Sequence, residues 1–335
     1  PEDAEAVLDG YAVLDGDELD APVLLAAWTR HAIGEVTVHD LATGDRRGTV
    51  PLPGVGSLGG LTEHPEGGHE AWIGYTDAVT PSSVLHYDAR TGDTSTWATA
   101  PGSVDVPDVH TQQVAYRSAD GTIVHLQLVA PADALGADGR PDRPRPTILY
   151  GYGGFGLPMT PGYSAGVLAW TEAGGVYAIA GLRGGAEEGE DWHRAGMLAN
   201  KQNVFDDFYA AARHLVEEGW TSPEQLGISG GSNGGLLVGA ALTQRPELFS
   251  AVVCSAPLLD MVRYELFGLG ATWSSEYGTA QDVEQLGWLL AYSPYHHVHD
   301  GTAYPAVLFE VFDSDTRVDP LHARKLCAAL QHATS

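Results

Sequence analysis

Ser232 stands in the run Gly230-Gly231-Ser232-Asn233-Gly234-Gly235, and a hydroxyl set among glycines can be a nucleophile if a tight turn carries it. Gly230, Ser232 and Gly234 occupy the three fixed places of the GxSxG pattern, a nucleophile elbow between a strand and a helix. Serine there lies in strained backbone, so its neighbours must lack bulky side chains. The apolar run Leu226 to Ser229 precedes it, and Leu236 to Leu242, apolar enough for a buried helix, follows. At the positive end of that helix, negative charge developing on a reacting carbonyl would be stabilised. The same residues would also suit a turn that packs closely or binds phosphate, so partners must be sought.

In sheets that carry such an elbow, an acid and then a histidine follow the serine. The run Ala306 to Val311 leads into Phe312-Asp313-Ser314-Asp315-Thr316-Arg317-Val318-Asp319-Pro320, with three aspartates after a candidate strand. A carboxylate there would orient a histidine ring and stabilise the imidazolium formed during attack. The competing use is capping the helix that starts at Pro320. After Asp315 only His322 and His332 remain, on the apolar-periodic helical stretch beginning at Leu321. A triad histidine belongs on a loop beyond one further strand. His322 is therefore read as a helix-surface residue or one behind the site, and the general base is expected beyond residue 335.

The elements that must position these groups follow from periodicity. Thr147-Ile148-Leu149-Tyr150, Val176 to Ala180, the elbow strand, Ala251 to Cys254 and Ala306 to Val311 read as buried strands. Between the second and third, Phe205, Phe208, Tyr209, Ala212, Leu215 and Val216 mark one face of a helix. Strands alternating with helices predict an α/β fold with a doubly wound, mainly parallel sheet, whose sites gather at the strands' carboxyl ends. Ahead of it, Gln113 to Tyr116 and Ile123 to Val129 form a hairpin through Asp120-Gly121, and residues 137–146 read as an exposed loop.

The first hundred residues have another texture. Asp40-Leu41-Ala42-Thr43-Gly44-Asp45 matches Asp88-Ala89-Arg90-Thr91-Gly92-Asp93; from Gly44 to Gly92, and again from Pro53 to Pro101, the spacing is 48 residues. Each match is a turn between short β-like runs, and a period just under 50 residues suggests β-propeller blades, with chance similarity of two hairpins as the alternative. Two blades cannot close a ring, so earlier blades are expected outside the chain.

Composition bounds the partners. The 335 residues carry 17 Lys and Arg against 44 Asp and Glu, a formal charge of −27. Such a surface repels phosphate backbones and argues against nucleic acid as a partner. No run approaches the roughly 18 apolar residues of a membrane span. Cys254 and Cys327 are too few for a disulfide framework, are not spaced as a metal site, and sit in apolar surroundings.

Several longer motifs then converge. Tyr150-Gly151-Tyr152-Gly153-Gly154-Phe155, Leu182 to Glu187, Leu198-Ala199-Asn200-Lys201-Gln202-Asn203, Gly230 to Gly235, Gln244 to Phe249, Trp273-Ser274-Ser275-Glu276-Tyr277-Gly278 and Asp315 to Val318 stand in order. Together they resemble the prolyl oligopeptidase (prolyl endopeptidase) family across nearly all of the second part. The resemblance implies an α/β-hydrolase fold over residues 109–335, lacking its C-terminal end, preceded over residues 1–108 by the last two blades of a propeller. It makes Ser232 the nucleophile and Asp315 the triad acid, with the Asn233 backbone N–H and the Tyr152 hydroxyl as oxyanion hole. Trp273 would stack on a substrate proline with Tyr277 beside it, Arg317 would bond a substrate carbonyl, and Phe155 would line a further subsite. Without the resemblance Trp273 and Phe155 read as core packing, Arg317 as a structural ion pair and Tyr152 as strand-end packing. Ala186 departs from the family, which usually has a third glycine there.

The function so implied is a serine endopeptidase cleaving short peptides on the carboxyl side of proline through an acyl-enzyme. No metal or organic cofactor is implied, and the expected protein is a monomer, cytoplasmic, with periplasmic or secreted relatives as the other case. The alternatives are a serine oligopeptidase of other specificity and a non-catalytic scaffold.

Overall fold

The computed structural model describes residue 3, residues 5–102 and residues 105–334; Pro1, Glu2, Ala4, Ser103, Val104 and Ser335 lie outside them. Two compact units divide the chain: Pro1–Pro107 with Thr160–Ala169 and Glu187–Gly189, and Asp108–Met159 with Trp170–Ala186 and Glu190–Ser335. The two later excursions into the first unit leave no mark on the sequence pattern.

The first unit is built of two four-stranded antiparallel sheets, each with its strands in sequence order. One holds β1 (Val7–Leu14), β2 (Val23–Arg30), β3 (Ile33–Asp40) and β4 (Arg46–Thr49); the other holds β5 (Gly56–Glu63), β6 (Glu70–Asp77), β7 (Ser83–Asp88) and β8 (Asp93–Thr99). These are propeller blades, and the repeated motif is the turn before each outermost strand. Gly44 and Gly92 share φ +77°, and each donates its N–H to an aspartate carbonyl four residues back, Asp40 or Asp88, at 2.8 Å. Only glycine takes that backbone freely, which is why the repeat is written in Gly-Asp. In β6, buried Ala71, Ile73, Tyr75 and Asp77 alternate with half-buried residues, and the apolar ones join Leu14, Leu25, Val36 and Leu85 in one core.

The second unit is a seven-stranded sheet ordered β15-β14-β13-β11-β12-β10-β9. Its strands are β9 (Val109–Arg117), β10 (Ile123–Pro131), β11 (Thr147–Gly151), β12 (Val176–Gly181), β13 (Leu226–Gly231), β14 (Ala251–Ser255) and β15 (Ala306–Glu310). From β12 to β15 all pairings are parallel, while β9–β10 and β10–β12 are antiparallel. The helices are α1 (Ala165–Glu172), α2 (Glu190–Arg194), α3 (Gln202–Glu217), α4 (Asn233–Gln244), α5 (Ser274–Tyr277), α6 (Val283–Tyr292) and α7 (Leu321–Ala333). The amphipathic α3 buries Phe205, Phe208 and Leu215, whereas α4 is buried from Asn233 to Thr243, as a helix apolar all round must be. Among the described residues no helix is long and apolar enough to cross a membrane.

Parallel pairing puts the carboxyl ends of β11, β13, β14 and β15 on one edge. Gly231 faces Ser255 and Ser255 faces Glu310, so the turns carrying Tyr152, Ser232 and Asp315 leave from the same side. One buried ion pair fixes the neighbouring elements. Arg183, just past β12, donates from Nη2 to Asp207 of α3 at 2.6 Å and from Nη1 to Asp120 of the β9–β10 turn at 2.6 Å. Asp207 is fully buried, so removing the guanidinium strands a charge. Arg183→Met is expected to cost about 3–5 kcal/mol in a denaturant titration. Asp120→Ala, whose carboxylate is half exposed, costs about 1 kcal/mol or less in the same titration.

Candidate active site

Ser232 connects β13 to α4 with φ +56° and ψ −117°, a backbone that L side chains rarely adopt. Neighbouring atoms hold it there. Its N–H donates to the Ser255 carbonyl at 2.9 Å. A Cβ on Gly230 would lie 2.2 Å from the Gly234 carbonyl oxygen, and one on Gly234 would lie 2.8 Å from that of Gly151. Any side chain at either place would push the turn apart, so glycine there is a steric requirement. The Asn233 N–H opens α4 in the first turn, where helical N–H groups have no partner within the helix and meet the positive dipole end.

Tyr152 follows β11 directly, half-buried, with its hydroxyl within hydrogen-bonding reach of the Ser232 hydroxyl. Burial raises the phenol pKa, so at neutral pH the group keeps its proton and can donate. The Asn233 side chain ties the two sides together: its Nδ2 donates to the Tyr152 carbonyl at 2.6 Å, and its Oδ1 accepts from the Tyr277 hydroxyl at 2.8 Å. The Asn233 amide side chain is thus engaged at both its polar atoms, on Tyr152 and on Tyr277.

Asp315 lies on the loop after β15, half-buried, and its Oδ1 accepts the N–H groups of Arg317 at 2.8 Å and Val318 at 3.0 Å. The Arg317 side chain is exposed, and its charge acts on the Tyr152 phenol. Its carbonyl accepts from Leu269 N–H at 3.0 Å, which clips the segment leading to Trp273 onto the Asp315 loop. Trp273 is half-buried against the core. Phe155, with φ +56°, sets its ring edge-on to Tyr277 at 5.6 Å.

Two sequence expectations change. Tyr277 has no exposed surface; its hydroxyl is bonded to Asn233 Oδ1, and it is not placed beside Trp273 to meet a substrate. His322 is not on the helix surface: it is 1% exposed, and its Nδ1 accepts from the backbone N–H of Asp260 at 3.2 Å and of Leu259 at 3.4 Å. Residues 321–330 gave the right helix but could not say which face the rest of the sheet would cover.

The sequence reading assigned no role to a buried cluster beneath the turn after β11. Lys201 Nζ donates to the Gly153 carbonyl at 2.9 Å and to Glu276 Oε1 at 3.2 Å, and His193 Nε2 lies 2.8 Å from Glu276 Oε2. Burial drives the Lys201 pKa down, against the neighbouring carboxylate that holds it up. The available signal was scarcity: the chain has two lysines, Lys201 and Lys325, against 44 acidic residues.

The profile described as the prolyl oligopeptidase family matches residues 161–335. A prolyl endopeptidase of Elizabethkingia miricola is 38% identical over 308 residues, covering 91% of this chain and 43% of that protein. A solved structure from a structural and mechanistic study of two prolyl endopeptidases is 48% identical, with a TM-score of 0.87 over 99% of this chain and 47% of its own. Prolyl oligopeptidase B from Galerina marginata, solved with a 35mer hydrolysis and macrocyclization substrate, is 30% identical, with a TM-score of 0.87 over 100% of this chain and 46% of its own. The chain thus spans less than half the length of these relatives.

Burial pushes the His322 pKa from the usual 6.5 down to about 4. The folded ring stays neutral where the unfolded chain already binds a proton, so this contribution is complete above about pH 6.5 and is lost as pH falls toward 4. Over that window the loss amounts to about 3 kcal/mol. Denaturant midpoints measured at several pH values between 4 and 7.5 are expected to fall steeply for the native sequence. His322→Asn, which keeps an acceptor and cannot take up the proton, is expected to flatten the curve.

Proposed function

The chain belongs to the prolyl oligopeptidase family, and from that premise we propose that it carries the chemistry of a serine endopeptidase cleaving short peptides after proline. The observation that carries this reading is Ser232, held at φ +56° on a strand-to-helix turn with the Tyr152 hydroxyl beside its own. Ser232 Oγ attacks the carbonyl carbon of the proline, and the oxygen that becomes negative takes hydrogen bonds from the Asn233 N–H and the Tyr152 phenol. Collapse breaks the C–N bond, the amine leaves with a proton, and water then hydrolyses the ester.

Asp315 is the acid in this reading. Its Oδ1 is occupied by two backbone N–H groups, which fixes the carboxylate and leaves Oδ2 to orient a histidine. His322, whose Nδ1 already accepts two backbone N–H groups, is not that histidine. Trp273 offers a flat apolar face suited to a compact proline ring. Arg317, exposed and close enough to act on Tyr152, is suited to bond a peptide carbonyl, and Phe155 lines the far side. Tyr277 supports Asn233 from behind. Short proline-containing peptides are the partners this site fits; the relative from Galerina marginata was solved with a peptide substrate of its own.

The test is hydrolysis, by the whole protein, of blocked chromogenic dipeptides ending in Pro, Arg or Phe. Turnover selective for Pro and abolished in Ser232→Ala is expected; faster turnover of Arg or Phe contradicts the proline assignment. Tyr152→Phe is expected to lower kcat about 10²–10³-fold by removing one oxyanion donor. Trp273→Ala is expected to lower kcat/KM for the Pro substrate at least about tenfold, by the 1–3 kcal/mol that a filled apolar pocket supplies.

A further inference from the structure

We propose that the buried pair Lys201–Glu276, together with the Tyr277 hydroxyl, is a positioning scaffold that sets the Tyr152 phenol and the Asn233 N–H for catalysis. This rests on the site assignment just made and names what holds it. Within the turn after β11, Leu157 N–H bonds the Gly154 carbonyl at 3.1 Å, but Phe155 takes φ +56°, a conformation a bulky side chain keeps only where its surroundings hold it. The start of this turn is bonded at two consecutive carbonyls to buried side chains. The Tyr152 carbonyl accepts from Asn233 Nδ2 at 2.6 Å, and the Gly153 carbonyl accepts from Lys201 Nζ at 2.9 Å.

The two anchors are themselves joined. Glu276 neutralises Lys201 at 3.2 Å; the next residue, Tyr277, bonds Asn233 Oδ1 at 2.8 Å and sets its ring 5.3 Å from the ammonium. Lys201 is 1% exposed, Glu276 3% and Tyr277 0%, so no water competes for these bonds and the geometry is stiff. A Cβ on Gly154 would stand 2.5 Å from Asn233 Nδ2, so the backbone is shaped to admit that amide. The tolerance for such donors is about 0.5 Å.

The experiment combines Lys201→Met with Glu276→Gln, which removes the donor to Gly153 and leaves no unpaired lysine or glutamate charge. In the whole protein, with the chromogenic Pro substrate, kcat is expected to fall up to about 100-fold, as for a misplaced catalytic group, with KM within about twofold. On a Tyr152→Phe background the same pair is expected to add little further loss, because the donor it positions is already gone. Tyr277→Phe, which deletes one oxygen and no volume, asks the same question of the Asn233 arm should the paired variant not fold; its expected signature is the same non-additive loss of kcat. Losses that multiply with Tyr152→Phe, or a lowered thermal midpoint with unchanged kcat, overturn the inference and leave the site assignment standing. Wild-type kcat in Tyr152→Phe, or no proline-selective turnover in the native protein, overturns both.

Discussion

The structure around the site depends on one backbone conformation, the positive φ of Ser232. A side-chain-bearing residue at φ +56° and ψ −117° is held only where its surroundings leave no other choice. Here those surroundings are the Ser255 carbonyl that takes its N–H, the missing side chains at Gly230 and Gly234, and a helix buried on every face that cannot shift. The parallel order of β11, β13, β14 and β15 then brings the Tyr152 turn and the Asp315 loop to the same edge. Strain at one residue is thus maintained by packing across four strands, and its result is a hydroxyl that stands clear of its own sheet.

Electrostatics around this edge are arranged by pairing rather than by net field. In a chain with formal charge −27, three buried carboxylates each meet a cation: Asp207 meets Arg183, Glu276 meets Lys201, and Asp260 meets Lys325. Each pair joins segments far apart in sequence, and each would be costly to break by removing a single partner. Tyr152, left protonated by its burial, adds a neutral donor to this setting.

Much of this was readable from residue order, and the reasons are local. The 48-residue repeat was visible because a φ +77° turn demands glycine twice over, and the elbow was visible because clearance demands glycine at two fixed offsets. The mainly parallel sheet followed from alternating runs of apolar residues. What escaped depends on which distant segment covers a residue. Tyr277 and His322 sit on short or amphipathic helices whose periodicity says that one face is buried but not how deeply. Lys201 meets Gly153 and Glu276 from 48 and 75 residues away, a juxtaposition made by the sheet and by no local pattern. The motif containing Lys201 resembles a family's, yet its physical task appears only once the chain is folded.

The central claim is that Ser232 is a nucleophile aimed by this edge of the sheet at the carbonyl of a proline residue. The most direct measurement is peptide mapping by mass spectrometry after the whole protein is incubated with a proline-terminated peptidyl phosphonate, an electrophile that stays bound to a reactive serine. The account predicts a single adduct, on the peptide containing Ser232, lost in competition with a blocked proline peptide. An adduct on another residue, or labelling of Ser232 that is indifferent to proline in the probe, would contradict it.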